Sequence, residues 1–158
     1  MEQTGTLRRF FELLESKSAI ASDAEALVGL YAPGFLYAGP DGTQVVKATD
    51  LSAAIPKRKQ LFDSIGRRST TRLSLHETRL DDRYTMVRTE WQWQFDRGSD
   101  LPAEITLPST FIVERSRDGP KIVFYLAHAD IMTVLRARGP LTASRVRKAS
   151  HGGGPARE

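Results

Sequence analysis

The second half of the chain alternates apolar and polar residues in four long segments. These segments are "STTRLSLHETRL", "RYTMVRTEWQWQF", "AEITLPSTFIVER" and "KIVFYLAHAD", and only short polar turns separate them. Alternation with a period of two is typical of strands that bury one face, and short turns join antiparallel neighbours. The pattern therefore predicts a four-stranded antiparallel meander with one face available for packing.

The first half shows helical periodicity instead. The segment "TLRRFFELLESK" gathers its large apolar residues on one helical face, and "SDAEALVGLYAPGF" predicts a second helix that ends at Pro33 and Gly34. A small hairpin around "GPDG" follows. Residues 48–66 then predict a third helix, in which Pro56 indicates a kink or two helical pieces. The segment "IMTVLRAR" predicts a last short helix.

This order of elements indicates an α+β fold. Helices that precede a long antiparallel meander are expected to cover one side of it. A curved antiparallel sheet whose helices cover only part of its concave face is expected to enclose a pocket.

Composition and charge define one domain and a tail. Of the 158 residues none is cysteine, and the last 23 hold six basic residues against one acidic residue, so the rest of the chain is nearly neutral. We expect a domain over residues 1–138 and a disordered basic tail over residues 139–158. A neutral body makes nucleic-acid binding an unlikely function. With neither a secretory signal nor an apolar span, we expect a cytoplasmic protein without membrane contact.

Alternation also assigns the strand faces. The inward sets predicted for the last three strands are Val87/Thr89/Trp91/Trp93/Phe95, Ile105/Leu107/Ser109/Phe111/Val113 and Ile122/Phe124/Leu126/His128/Asp130. Two tryptophans on one strand face are usually core, but they can also form the wall of a pocket for a flat ligand. In that second interpretation Trp91, Trp93, Ser109, Phe111 and Phe124 bind the ligand.

His128 and Asp130 are the candidates for chemistry. Two residues apart on a strand, they are expected to share a face, so that Asp130 orients an imidazole acting as general acid or base. Tyr37 on the hairpin is expected to donate a hydrogen bond at the same mouth. The alternative interpretation is a hydrogen-bonded pair that only closes the strand. We expect no metal and no cofactor, because the histidines and carboxylates lack metal-ligand spacing and no phosphate-binding glycine loop occurs.

The chain resembles the nuclear transport factor 2-like (NTF2-like) superfamily, which includes ketosteroid isomerase-like and polyketide cyclase (SnoaL-like) proteins. The resemblance covers about residues 7–132 and rests on the element order, on "LYAPGFLYAGPDG" and on "TFIVERSRDGPKIVFYLAHAD". It implies a conical α+β barrel, in which a curved antiparallel sheet wraps around the N-terminal helices, with a hydrophobic pocket and a homodimer formed through the sheet face. In the isomerase-like motif a catalytic aspartate precedes a proline, and here that position is Gly39, before Pro40.

Two functions remain open from the sequence. The first is a small-molecule-binding or dimerisation module with a hydrophobic pocket and no assigned reaction. The second is a cofactor-free isomerase, cyclase or dehydratase that acts on a small hydrophobic carbonyl or polycyclic substrate through His128 and Asp130. The missing aspartate at Gly39 favours the first function.

Overall fold

A computed structural model describes residues 2–18, 24–96 and 102–138. The four helices are α1 (Glu2–Ser18), α2 (Ala24–Val28), α3 (Leu51–Ser64) and α4 (Ile131–Arg138). The six strands are β1 (Tyr31–Gly39), β2 (Gly42–Lys47), β3 (Arg67–Arg79), β4 (Tyr84–Phe95), β5 (Glu104–Ser116) and β6 (Gly119–Ala127). The expected tail over residues 139–158 and its disorder lie outside the described residues and stay predictions.

The strands form one open, curved sheet in the order β2-β1-β6-β5-β4-β3. All neighbours are antiparallel except β1 and β6, which run parallel. The predicted hairpin and the four-stranded meander are both present, and α4 occupies the predicted residues 131–138. The predicted α+β architecture is therefore confirmed, with the hairpin joined to the meander through the parallel β1–β6 pair.

Two hydrophobic clusters attach the helices to the concave face of the sheet. The apolar face of α1, including Phe11, packs on Val87, Phe111 and Ile122 from three different strands. The second cluster lies towards the other end of the face and contains Phe62, Trp93, Phe95, Ile105, Ile131 and Leu135. Trp91 packs against both clusters, so it marks the boundary between them. The predicted inward faces of β4 and β5 are confirmed by this burial.

Two predictions near the helices are wrong. The second helix ends at Val28, and Pro33 and Gly34 belong to β1, where the β1–β6 register shifts between Tyr31 and Leu36. A strand tolerates proline where such an irregularity removes the need for its N–H. Two separate helical pieces at Pro56 are also wrong, because α3 runs as one element through it, preceded by a 3-10 turn, whereas the kink stays a prediction. Ile55 and Phe62 pack against the two hydrophobic clusters on either side of the proline.

No helix within the described ranges is long and apolar enough to cross a membrane.

Candidate functional site

A cavity of about 620 Å³ lies between the concave face of the sheet and the helices. Its floor comes from β4, β5 and β6, its sides come from the end of α1, from α3 and from β1, and the start of α4 closes one corner. Ligand cavities in proteins measure roughly 300–1,000 Å³, so this space is large enough for a drug-sized molecule. The tryptophans of β4 line the cavity and do not fill it.

Aromatic rings form the main wall. The Phe111 and Tyr125 rings stack in parallel, with centroids 4.8 Å apart. The Trp93 ring meets Phe62 of α3 edge to face at 4.7 Å, and Trp91 lies beside it on β4. Such geometries hold the rings in place and offer flat apolar surface to a guest.

The indole N–H of Trp91 is hydrogen-bonded within the protein. Its indole Nε1–H donates to the hydroxyl of Thr89 at 2.8 Å, and that hydroxyl donates to the backbone carbonyl of Ser109 at 3.2 Å. Thr89 is completely buried and Ser109 nearly so. Because the indole N–H is occupied, Trp91 presents only apolar surface to the cavity.

Three tyrosines place their rings around one end of the cavity. These are Tyr31 and Tyr37 of β1 and Tyr125 of β6. Tyr37 and Tyr125 are register partners, and their ring centroids are 5.5 Å apart. Burial, followed by the proximity of Tyr125, raises the pKa of Tyr31 and of Tyr37. Both phenols therefore stay protonated and can donate hydrogen bonds at neutral pH.

The Tyr37 phenol lies against Gly39, the position where the isomerase-like motif carries an aspartate. A Cβ atom at Gly39 would lie 3.2 Å from the hydroxyl oxygen of Tyr37. A side chain at that position therefore requires the Tyr37 phenol to move by a few tenths of an ångström.

Charged side chains of α3 and β3 line the opposite side. Asp63 forms ion pairs with Lys59, one turn earlier, and with Arg67 at 3.2 Å; we call these three residues the Asp63 cluster. Hydrogen bonds from Lys59 and Arg67 lower the pKa of the Asp63 carboxyl, although burial opposes them. Arg58 and Arg67 both lie over the Phe62 ring, with their Cζ atoms 5.1 Å and 5.6 Å from the centroid.

The prediction that Phe124, His128 and Asp130 share the inward face is wrong. The β5–β6 register shifts so that Ile122 opposes Val113 but Phe124 opposes Ile112. This β-bulge leaves Val123 unpaired and reverses the alternation after it, since one extra residue turns each later side chain to the other face. Tyr125 and Ala127 point into the cavity, and Phe124 points to the convex face.

His128 follows the same reversal. It lies just beyond the end of β6, where its Nε2 atom is 2.7 Å from the hydroxyl of Thr110 on the convex face. Burial and the nearby Arg88 lower the pKa of His128, so the imidazole is neutral at pH 7. His128 is absent from the lining of the cavity.

Asp130 does line the cavity, but its carboxylate is engaged. One of its oxygens accepts hydrogen bonds from the Thr133 backbone N–H at 3.0 Å and from the Thr133 hydroxyl at 2.7 Å. This is the arrangement of a helix N-cap, here at the start of α4. The two bonds outweigh burial and lower the pKa of Asp130, so it is a weak base.

The structure thus brings together six of the eight candidate site residues and separates two. Those that line the cavity are Tyr37, Trp91, Trp93, Ser109, Phe111 and Asp130. Phe124 and His128 lie on the other face of the sheet. Sequence reasoning missed Tyr31, Tyr125 and Arg58. Tyr31 was assigned to a helix, and no sequence signal marks the bulge that turns Tyr125 inwards.

Within residues 2–18, 24–96 and 102–138, no group of three or more histidine, aspartate or glutamate side chains is placed to hold a metal ion.

No protein-family model and no curated protein sequence matches the chain. Solved structures do. An NTF2-like protein with a cystatin-like fold from Novosphingobium aromaticivorans superposes with a TM-score of 0.67, covering 86% of this chain and 88% of its own, at 16% identity. An NTF2-like protein of unknown function from Shewanella oneidensis gives 0.63, with 80% and 98% covered at 16% identity.

A third solved structure is a protein provisionally named polyketide cyclase, from Xanthomonas campestris. It superposes with a TM-score of 0.52, covering 84% of this chain and 93% of its own, at 15% identity. At such identities the likeness establishes the fold alone. The chain has the α+β cone of NTF2-like proteins, as its resemblance to that superfamily predicts.

Proposed function

We propose that the chain is a small-molecule-binding module whose cavity holds a flat, hydrophobic compound. The observation that carries this proposal is an unfilled space of about 620 Å³ walled by aromatic rings. The indole N–H of Trp91 supports it, because this donor is already hydrogen-bonded to Thr89 and needs no acceptor from the guest. No reaction is assigned, since His128 lies outside the cavity and the carboxylate of Asp130 caps a helix.

The test is a fluorescence titration with N-phenyl-1-naphthylamine, a neutral dye that brightens in apolar surroundings. We expect saturable binding with one site per chain. The variant Ala127→Phe should weaken binding at least about tenfold, because Ala127 lines the cavity and a ring there occupies the dye's space. The matched control is His128→Phe, which adds the same ring at the next residue on the opposite face and should leave the affinity within twofold.

Circular dichroism and urea unfolding of both variants establish that they are folded. Absence of saturable binding to the wild-type protein would refute the proposed function. Equal weakening by the two substitutions would show that the dye binds elsewhere.

We also propose that a second copy of the chain packs against the convex face of the sheet. Register partners form an apolar row across five strands, namely Val45, Leu36, Phe124, Ile112 and Met86. Val45 and Leu36 are 78% and 36% exposed. Such a row spans roughly 19 Å at ~4.8 Å per strand, and water contact with it is unfavourable. Two copies related by a two-fold axis can cover each other's row.

Light scattering coupled to size exclusion tests the dimer. The wild-type chain should elute at twice its mass of 17.6 kDa. Val45→Asp should shift it towards the monomer, whereas Leu80→Asp, an equal change at a residue that is 51% exposed and outside the row, should not. A monomeric wild-type chain at 100 µM, a concentration about a hundred times a micromolar dissociation constant, would contradict the proposal.

A further inference from the structure

The carboxylates that line the cavity are all held by groups of the protein. Glu15 accepts a hydrogen bond from the backbone N–H of Arg72 at 3.1 Å, and its other oxygen lies 3.7 Å from the Arg72 guanidinium. Asp63 is shared by the two cations of the Asp63 cluster, and Asp130 caps α4 through Thr133. None of these carboxylates therefore requires a cation from a ligand.

Arg58 differs from the cations of the Asp63 cluster. In the described part of the chain, no carboxylate lies within ion-pair distance of its guanidinium, whereas Arg67, whose Cζ atom also lies over the Phe62 ring, is paired with Asp63. Arg58 lines the same cavity as the three tyrosines, and its positive charge opposes the rise in the pKa of Tyr31 and of Tyr37. A cation held beside aromatic rings in this way is preorganised to meet an anion.

The phenols at this end are also without partners. Across residues 24–96 and 102–138, no protein group accepts a hydrogen bond from the hydroxyl of Tyr31, Tyr37 or Tyr125. A protonated phenol is a good donor to carboxylate and enolate oxygens. One cation and three donors therefore line this part of the cavity, and the Asp130 carboxylate beside them accepts its hydrogen bonds from Thr133.

We propose that the tyrosine end of the cavity binds the anionic oxygen group of an aromatic ligand, with the Arg58 guanidinium as counter-ion and the three phenols as hydrogen-bond donors. The proposal rests on the proposed function and adds the chemical class of the guest. Charge-assisted hydrogen bonds are about twice as strong as neutral ones, so an anionic guest should bind to these groups more tightly than a neutral guest of the same shape. The negative charge of Asp130 at the same end opposes the binding of an anion, and it opposes a guest of higher charge more strongly.

A matched pair of dyes tests this inference. 8-Anilinonaphthalene-1-sulfonate is N-phenyl-1-naphthylamine with one added sulfonate, so the two probes share an apolar body and differ by one negative charge. We expect the wild-type protein to bind the sulfonate dye about tenfold more tightly, the gain of one charge-assisted contact. Arg58→Met should remove most of that preference and leave the affinity for the neutral dye within twofold.

The control variant is Arg68→Met. Arg68 also lines the cavity, but its charge does not perturb the tyrosines. It should change the ratio of the two affinities less than about threefold, because Arg68 belongs to β3, which lies three strands from β6 and four from β1 in the sheet, and screening weakens a charge at that separation. Tyr37→Phe provides a second variant and should lower the affinity for the sulfonate dye more than that for the neutral dye.

The outcomes separate the two proposals. Equal affinity of the wild-type protein for both dyes, or a preference that Arg58→Met leaves intact, overturns this inference and leaves the proposed function standing. If neither dye binds, the proposed function fails and the inference fails with it.

Discussion

The hydrogen-bond chain behind the aromatic wall gives the sharpest prediction of stability. Thr89→Val keeps the shape of the side chain and removes its hydroxyl, which accepts from Trp91 at 2.8 Å and donates to Ser109 at 3.2 Å. Each bond contributes roughly 0.5–1.5 kcal/mol, and an indole N–H left without a partner adds to the cost. We expect the free energy of unfolding to fall by about 2 kcal/mol.

A double-mutant cycle shows whether the indole is the reason. Trp91→Phe removes the donor, so Thr89→Val should cost about 1 kcal/mol less in the W91F background than in the wild type. Thr89→Ser serves as the control, because it keeps the hydroxyl and loses only one methyl group, worth ~0.8 kcal/mol. Urea unfolding followed by far-UV circular dichroism measures the free energy of unfolding of the wild type, the two single variants, the double variant and the Thr89→Ser control. An equal cost of Thr89→Val in both backgrounds would refute the reasoning.

Three further predictions concern single ionisable groups. Burial raises the pKa of Glu77, and one of its carboxylate oxygens has no partner in the described structure, so the folded state disfavours the ionised form. The free energy of unfolding therefore falls as the pH rises from the unfolded pKa of ~4.3 through the raised folded value. Glu77→Met should abolish this dependence and raise the free energy of unfolding by about 1 kcal/mol at pH 7, as urea titrations at pH 4 and pH 7 would measure. Asp130→Ala should lower the free energy of unfolding by about 1 kcal/mol through loss of the helix cap, and Asp130→Asn should lower it less. Thermal unfolding measures both variants, and equal melting temperatures would contradict the capping role. His128 should titrate by NMR below the ordinary histidine value of ~6.5, because partial desolvation and the charge of Arg88 lower its pKa, and a midpoint above that value would contradict these two causes.

The sequence predicts the central strands well, because one face of each is plainly apolar. In β4, Val87 and Phe95 are buried while Arg88 stays exposed, as alternation requires. The same logic places Ile105, Phe111 and Val113 of β5 inside. A residue pattern with one polar and one apolar face has only one favourable register.

The last strand could not be assigned in the same way. Both faces of β6 are apolar, since Ile122, Phe124 and Leu126 alternate with Val123 and Tyr125. Alternation therefore does not indicate which set of side chains points inwards, and no residue pattern marks the position of the bulge. The separation of His128 from the cavity follows from that one unpaired residue and could be found only from the strand register.

The position of Arg58 was equally hidden. A cation on an exposed helix face is ordinarily solvated, and only the fold shows that α3 brings Arg58 to the cavity that the tyrosines line. The ion pairs of Asp63 with Lys59 and Arg67, by contrast, join residues four positions apart in the sequence. The grouping of Arg58 with tyrosines of β1 and β6 depends on contacts distant in sequence.

The most direct test of the binding function is isotope-edited NMR of the protein saturated with N-phenyl-1-naphthylamine. The account predicts nuclear Overhauser contacts between the dye and ring protons of Trp93, Phe111 and Tyr125, which line the cavity. Contacts to Phe124 or Leu36 on the convex face, with none to those three rings, would contradict it.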